Sequence, residues 1–329
     1  MPTPTRPKVL IDCDPGHDDV LAIGVASVHC DVVGITTVDG NSTLVNTTRN
    51  ALLATELFGL GNVPVHAGAS GPIDGSPGRH ATEAHGRTGL DGPEPRSPNR
   101  DVTGTEAVSF LIDTVRSTEG LWLIPIGPLT NIAMALRTAP DILHRIAGIS
   151  IMGGSITHGN ATATAEFNIW FDPVAAAEVF EAVANNGTQM LMCGLDLTHQ
   201  VGVDATFGEA LLAHDTDSAR FCGELMTYYQ AYAARIEGKT GAAAKAVRAA
   251  LHDPCAVLAV THPELFARQR LHVAVETVGM LTRGMTVADL RPWADPAKAN
   301  VDVVVRADRQ AAINIVLAAL TNSDAHSAI

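Results

Sequence analysis

Basic residues are scarce in this 329-residue sequence: 22 Lys+Arg stand against 35 Asp+Glu, a formal net charge of −13. A surface of that sign repels phosphate backbones and anionic headgroups, so nucleic acid is not an expected partner. No apolar run approaches the roughly 20 residues of a membrane-spanning helix, and the opening MPTPTRPK lacks the apolar stretch of a secretion signal. Both absences lead us to expect a soluble, cytoplasmic protein with no membrane partner. Cysteine is sparse too. Cys13, Cys30, Cys193, Cys222 and Cys255 are odd in number and show no CxxC spacing, which argues against a disulfide framework and a thiolate metal centre. Charged residues reach only 17% while hydrophobic ones reach 46%, which excludes wholesale disorder and permits a large core.

Apolar runs bounded by turn residues recur at 9–14, 32–38, 63–68, 121–127, 146–154, 188–196, 271–278 and 301–306. Between them, amphipathic periodicity predicts helices over 18–28, 44–58, 104–117, 129–138, 173–184 and 308–320. Strands alternating with helices require right-handed crossovers, so the expected fold is α/β: one domain over 1–329 built on an open, doubly wound, mainly parallel sheet. The segment 204–260 breaks the alternation and reads as helical throughout, a helical insertion or lid carrying Tyr228, Tyr229 and Tyr232. Residues 68–101 form a long Gly/Pro/Ser-rich loop, and 321–329 read as a flexible tail. Trp122, Trp170 and Trp293 read as core.

Ligands of open parallel sheets bind at the carboxyl ends of the strands. Here those ends are polar: DCDPGHDD (12–19), DGN (39–41), GPLTN (127–131), GGSITHGNATATAEFN (153–168) and, before a later helix, LHDPC (251–255). Asp12, Asp14, Asp18 and Asp19 fall within eight positions. Carboxylates so crowded repel by a few kcal/mol per pair, roughly, at an effective dielectric near 20, and a cation relieves that. Oxygen donors without cysteine favour a hard ion such as Ca²⁺. Capping of the following helix accounts for Asp18 and Asp19, but not for all four.

DCDPGHDDVLAI (12–23) resembles the N-terminal signature of the calcium-dependent nucleoside N-ribohydrolases, the inosine-uridine preferring family. ITTVDGN (35–41), HGRTGLDGP (85–93), GPLTNIA (127–133), IMGG (151–154), GNATATAEFNIWFDP (159–173) and HDP (252–254) agree with it in order, over about 8–320. The resemblance implies a Rossmann-like fold and hydrolysis of ribonucleosides to ribose and free base. It implies Ca²⁺ on Asp14, Asp19, Asp253 and the Ile126 carbonyl, with Asp14 as general base toward a Ca²⁺-bound water. Asp18, Asn41 and Asn168 are expected at the 2′- and 3′-hydroxyls, Asn160 and Glu166 at the 5′-hydroxyl, and Met152 beneath the sugar, with Asp253 also in reach of substrate.

A departing base needs a proton, and histidine is suited to give it. His252 is the expected acid; His85 and Tyr229 are further candidates for contacting the nucleoside. Plain packing or capping remains open for Met152, Glu166 and Tyr229. Relatives of this kind are dimers or tetramers, so a homo-oligomer, a homotetramer among the options, is expected. Two rivals stand beside this reading. One is a non-catalytic Ca²⁺-dependent ribonucleoside binder. The other is an aspartate-nucleophile phosphotransferase, which the sequence disfavours because GPLTN supplies no Lys.

Overall fold

The computed structural model describes residues 6–322. Its strands are β1 (Lys8–Cys13), β2 (Asp31–Thr37), β3 (Val65–Ala67), β4 (Trp122–Pro125), β5 (Gly148–Met152), β6 (Met190–Cys193), β7 (Gly202–Val203), β8 (Ala249–Ala250), β9 (Phe266–Leu271), β10 (Val273–Val275), β11 (Thr286–Ala288) and β12 (Val301–Ala307). The helices are α1 (His17–His29), α2 (Leu44–Leu57), α3 (Thr82–His85), α4 (Ala107–Ser117), α5 (Thr130–Thr138), α6 (Phe167–Phe171), α7 (Pro173–Asn186), α8 (Leu195–Thr198), α9 (Ala205–Leu212), α10 (Asp217–Ile236), α11 (Gly241–Lys245), α12 (His252–Thr261) and α13 (Arg309–Thr321).

Eight strands form the central sheet in the order β3-β2-β1-β4-β5-β6-β12-β9, parallel except for the antiparallel edge strand β9. Val9 to Cys13 and all of β5 and β6 are buried, as expected for strands covered on both faces. One apolar layer joins β1 to α1, α2, α12 and α13; the other packs α4, α5 and α7 on the opposite face. Local chemistry sets several boundaries. Asp172 caps α7 through the Ala175 amide, Pro173 opens its first turn, and Gly187 ends it in the left-handed region at φ 78°.

The doubly wound, mainly parallel sheet agrees with the sequence reading, with three corrections. The run 271–278 is not a sheet strand. Leu271 ends the half-exposed β9, whose FARQRL sequence lacks a strand's alternation, and β10 pairs with β11 in a separate ribbon. The segment 204–260 is not helical throughout: β8 interrupts it to pair with β7, and α12 lies in the main core against β5 and β6. Trp293 is 75% exposed rather than core, while Trp122 and Trp170 are half-buried. Most of the expected tail, 323–329, lies outside the described residues.

Sheet order reverses between β1 and β4, because the chain winds outward through β2 and β3 and then returns to the other side of β1. Asn131 at the start of α5 fastens this point. Its Nδ2 donates to Asp12 Oδ1 (2.8 Å) and the Thr37 carbonyl (3.0 Å), and its Oδ1 accepts from the Ala69 amide (2.9 Å). Asn131→Ala would leave the Ala69 amide without its partner, while Asp12 Oδ1 keeps the Thr36 hydroxyl and the Thr37 carbonyl keeps the Gly68 amide, so we expect about 2 kcal/mol of destabilisation. A urea midpoint unchanged from wild type would contradict that.

Candidate active site

The Pro15-Gly16 turn leaves β1 and starts α1, so Asp14 stays at the strand end while Asp18 and Asp19 enter the first helical turn. Asp19 does act as a cap: its carboxylate accepts from the amides of Gly16 (2.9 Å) and Asp14 (3.2 Å). Asp18 accepts from the amides of His252 and Asp253, which begin α12. Two helix N-termini thus converge on the acidic group, each presenting free N–H donors.

Acidic oxygens of Asp18, Asp19 and Asp253 lie within 4.8 Å of one another, all buried. Asp14 adjoins them; its Oδ2 accepts from the Asn41 amide at 2.6 Å, while its buried Oδ1 has no hydrogen-bond partner. A Cβ at Gly40 would sit 2.1 Å from Asp14 Oδ2, and one at Gly127 2.6 Å from Oδ1. Both positions therefore require glycine for close approach. None of the ion pairs among the described residues involves these aspartates. Burial raises the pKa of each, to about 6 for Asp18 against the lowering effect of its amide donors; repulsion from neighbouring acids adds to it for Asp19, which rises to about 7, and for Asp14 and Asp253, which rise well above the usual range. Asp19 and Asp253 share a hydrogen bond, and two carboxylates this close need a proton or a cation between them. An orphaned carboxylate oxygen and an all-oxygen donor set fit a hard divalent cation. The Ile126 carbonyl, just past β4, is in the same wall and accepts one hydrogen bond, from Asn168 Nδ2 at 2.9 Å.

Beside the acids opens a cavity of about 680 Å³. Asp18, Asn41, His85, Ile126, Met152, Asn160, Glu166, Asn168, Tyr229, His252 and Asp253 line it. The geometry thus brings together the expected residues from eight separate stretches of chain, with Asp14 and Asp19 directly behind. Several have structural duties as well. Asn168 Nδ2 also donates to the Met152 carbonyl (3.0 Å), tying β4 to β5. Glu166 caps α6, accepting from Asn168, Ile169 and Gly154 amides, and burial pushes it up to about 7. Asn160 Oδ1 accepts from the Phe167 amide at 2.9 Å. His252 Nδ1 lies 2.8 Å from Thr198 Oγ1, and burial holds its pKa down at about 4.

Tyr229 and Tyr232 reach the cavity; Tyr228 is absent from its lining and stacks instead on His17, with ring centroids 5.3 Å apart. Three participants escaped the sequence reading. His17, fully buried, lies 2.9 Å from His85 Nδ1 and donates through Nε2 to the Asp91 carbonyl at 2.8 Å, closing the long loop over α1. His199 and Arg248 line the cavity near His252. His17 lay within the acidic motif and His199 shortly beyond β6, so position at a strand end was the available signal.

An α/β sheet whose switch point holds buried acids beside a polar, amide-lined cavity is the frame of a hydrolase for a small polyhydroxylated substrate. The family model described as inosine-uridine preferring nucleoside hydrolase matches residues 9–314. Over 318 residues the chain is 40% identical to the inosine-uridine preferring nucleoside hydrolase of Crithidia fasciculata, covering 95% of this chain and 97% of that one. It is 38% identical to a pyrimidine-specific ribonucleoside hydrolase of Shewanella baltica, over 95% of each. A solved purine-preferring ribonucleoside hydrolase from Gardnerella vaginalis superposes with a TM-score of 0.88 at 31% identity, covering 98% of this chain and 100% of that one. The chain belongs to the inosine-uridine preferring nucleoside hydrolase family. It is an enzyme that hydrolyses the N-glycosidic bond of ribonucleosides, releasing ribose and base. The phosphotransferase reading is set aside. No helix among the described residues is long and apolar enough to cross a membrane.

Proposed function

We propose that this hydrolase acts on inosine, uridine and related ribonucleosides, with Ca²⁺ held by Asp14, Asp19, Asp253 and the Ile126 carbonyl. The observation that carries this is the unpartnered Asp14 Oδ1, buried beside three clustered carboxylates at the mouth of the sheet. Calcium, when bound, supplies positive charge that offsets the acids and makes the attacking water a better acid. Asp14 Oδ1 takes the proton that this water loses at the anomeric carbon. Its other oxygen, fixed by the Asn41 amide, keeps the carboxylate from turning away.

Positive charge develops on the ribose ring as the glycosidic bond breaks, so contacts that strengthen then are worth most. Asp18, Asn41 and Asn168 hold the 2′- and 3′-hydroxyls, Asn160 and Glu166 the 5′-hydroxyl, and Met152 lies under the sugar. Glu166 Oε1 carries one amide and has acceptor capacity left for the 5′-hydroxyl. Asp253 touches the ribose from the side of the ion. His85 and Tyr229, stacked with centroids 5.7 Å apart, border the base.

His252 gives the base its proton. Its assignment rests on its place in the cavity wall, since burial disfavours its charged form and leaves the resting ring neutral. His252→Ala should slow inosine about 100-fold or more and an activated nitrophenyl riboside far less; equal losses on both would remove His252 as the acid. Ribose release from inosine separates the enzyme from a pure binder. The protein is proposed to work in the cytoplasm as a homo-oligomer, a dimer or a tetramer. Exposed Val278, Met280, Leu281 and Trp293 support a buried interface, and light scattering decides the number of copies.

A further inference from the structure

Relatives with inosine-uridine, pyrimidine and purine preferences all resemble this chain, so the frame alone does not choose the base. A chain of hydrogen-bonded side chains runs from Asp196 to the cavity wall at His199. Asp196 follows β6, and its Oδ2 accepts from Ser155 Oγ (3.0 Å) and the Ile156 amide (2.6 Å). Its Oδ1 accepts the Thr157 hydroxyl hydrogen. A hydroxyl has one hydrogen, so with that spent Thr157 Oγ1 can only accept from His158 Nδ1, 2.8 Å away.

The hydrogen-bond chain then passes through two rings. A neutral imidazole carries one N–H, so His158 Nε2 is bare and accepts from His199 Nδ1 at 3.2 Å. His199 has thereby committed its own N–H to His158, and its Nε2 is a bare acceptor. His199 lines the cavity, and its ring meets that of His252 edge-on with centroids 5.6 Å apart. The carboxylates and amides that suit ribose lie elsewhere on the wall, so His199 faces the base.

We propose that His199 is a specificity residue whose Nε2 accepts a hydrogen bond from the ring N–H of an oxo-base ribonucleoside, and that Asp196, Thr157 and His158 are positioning residues that fix its tautomer. The inference rests on the placement of the base beside His252. Hypoxanthine in inosine and uracil in uridine each present a ring N–H flanked by carbonyl carbon. Adenosine and cytidine present a bare ring nitrogen there, which opposes another lone pair. Thr157 and His158 are absent from the cavity lining, so their effect on substrate choice runs through His199.

The test uses the calcium-loaded full-length enzyme at pH 8, where an ordinary histidine is neutral. Long-range ¹H–¹⁵N correlation should find His199 with hydrogen on Nδ1 in wild type and partly on Nε2 in Thr157→Val. Blocking the ring N–H, as in 1-methylinosine and 3-methyluridine, should lower wild-type kcat/KM about 10-fold, mainly through KM, as expected for losing one hydrogen bond. His199→Ala should erase that discrimination. Thr157→Val should weaken the discrimination without altering the nitrophenyl rate. Hydrogen on Nε2 in wild type, or an inosine to 1-methylinosine ratio unchanged in His199→Ala, would overturn the proposal. His252→Ala tests the placement of the base separately, and the tautomer is read without turnover, so the two failures are distinguishable.

Discussion

Asp14→Ala is expected to lower kcat on inosine by about 1,000-fold, inside the range that a positioned acid or base contributes, while the folded state survives. The first half follows from geometry. Asp14 Oδ2 is pinned by the Asn41 amide, and Oδ1 is the buried oxygen left without a partner. The second half follows from electrostatics. Burial and the charge of Asp19 disfavour the Asp14 carboxylate in the folded chain, so its removal relieves repulsion. Asp14→Asn is the sharper variant, since an amide oxygen can still accept from Asn41 but the side chain takes up no proton. A thermal midpoint at or above wild type in calcium-free buffer, with near-zero ribose release when calcium is supplied, is the expected pair of results. Turnover within tenfold of wild type in both variants would remove Asp14 as the base.

Much of this site was legible because its chemistry sits where a parallel sheet puts it. Asp14, Asn41, Ile126 and Met152 each fall at or just past the carboxyl end of a strand, and alternating apolar runs located those ends. His252 and Asp253 were legible as a motif but not as a place, since α12 reaches the cluster only by packing across β5 and β6. What stayed hidden depends on tertiary contact. His17 reads as one more polar residue in a helical first turn until the loop folds over and sets His85 and Asp91 against it. His199 gains its meaning from His158, 41 residues away in sequence. The edge strand β9 was missed because FARQRL, half-exposed and antiparallel, lacks the continuous apolar run that marked the buried strands.

Stripping calcium with a chelator should abolish nucleoside hydrolysis and lower the melting temperature, and restoring it should reverse both. Asp18, Asp19 and Asp253 have oxygens within 4.8 Å, a separation at which two unit charges repel by about 3 kcal/mol at an effective dielectric near 20. Asp14 adds to that repulsion. Nothing basic among the ion pairs of the described residues answers it. The fold retains these acids at a cost to its own stability, and a cation that binds only the folded state repays that cost. At a hundred times its dissociation constant such an ion contributes about 2.7 kcal/mol. For a chain of this length that corresponds to a melting shift of roughly 3 to 5 °C. Asp253→Asn should shrink the shift, because it removes one charge and one donor from the ion while leaving the cavity wall in place. Asn168→Ala serves as the contrast: it loses the tie between the Ile126 and Met152 carbonyls and the ribose contacts proposed for it, yet keeps every carboxylate, so a calcium-dependent shift should persist. Full activity in chelator, with a melting temperature indifferent to calcium, would leave the acidic cluster without the ion on which its role depends.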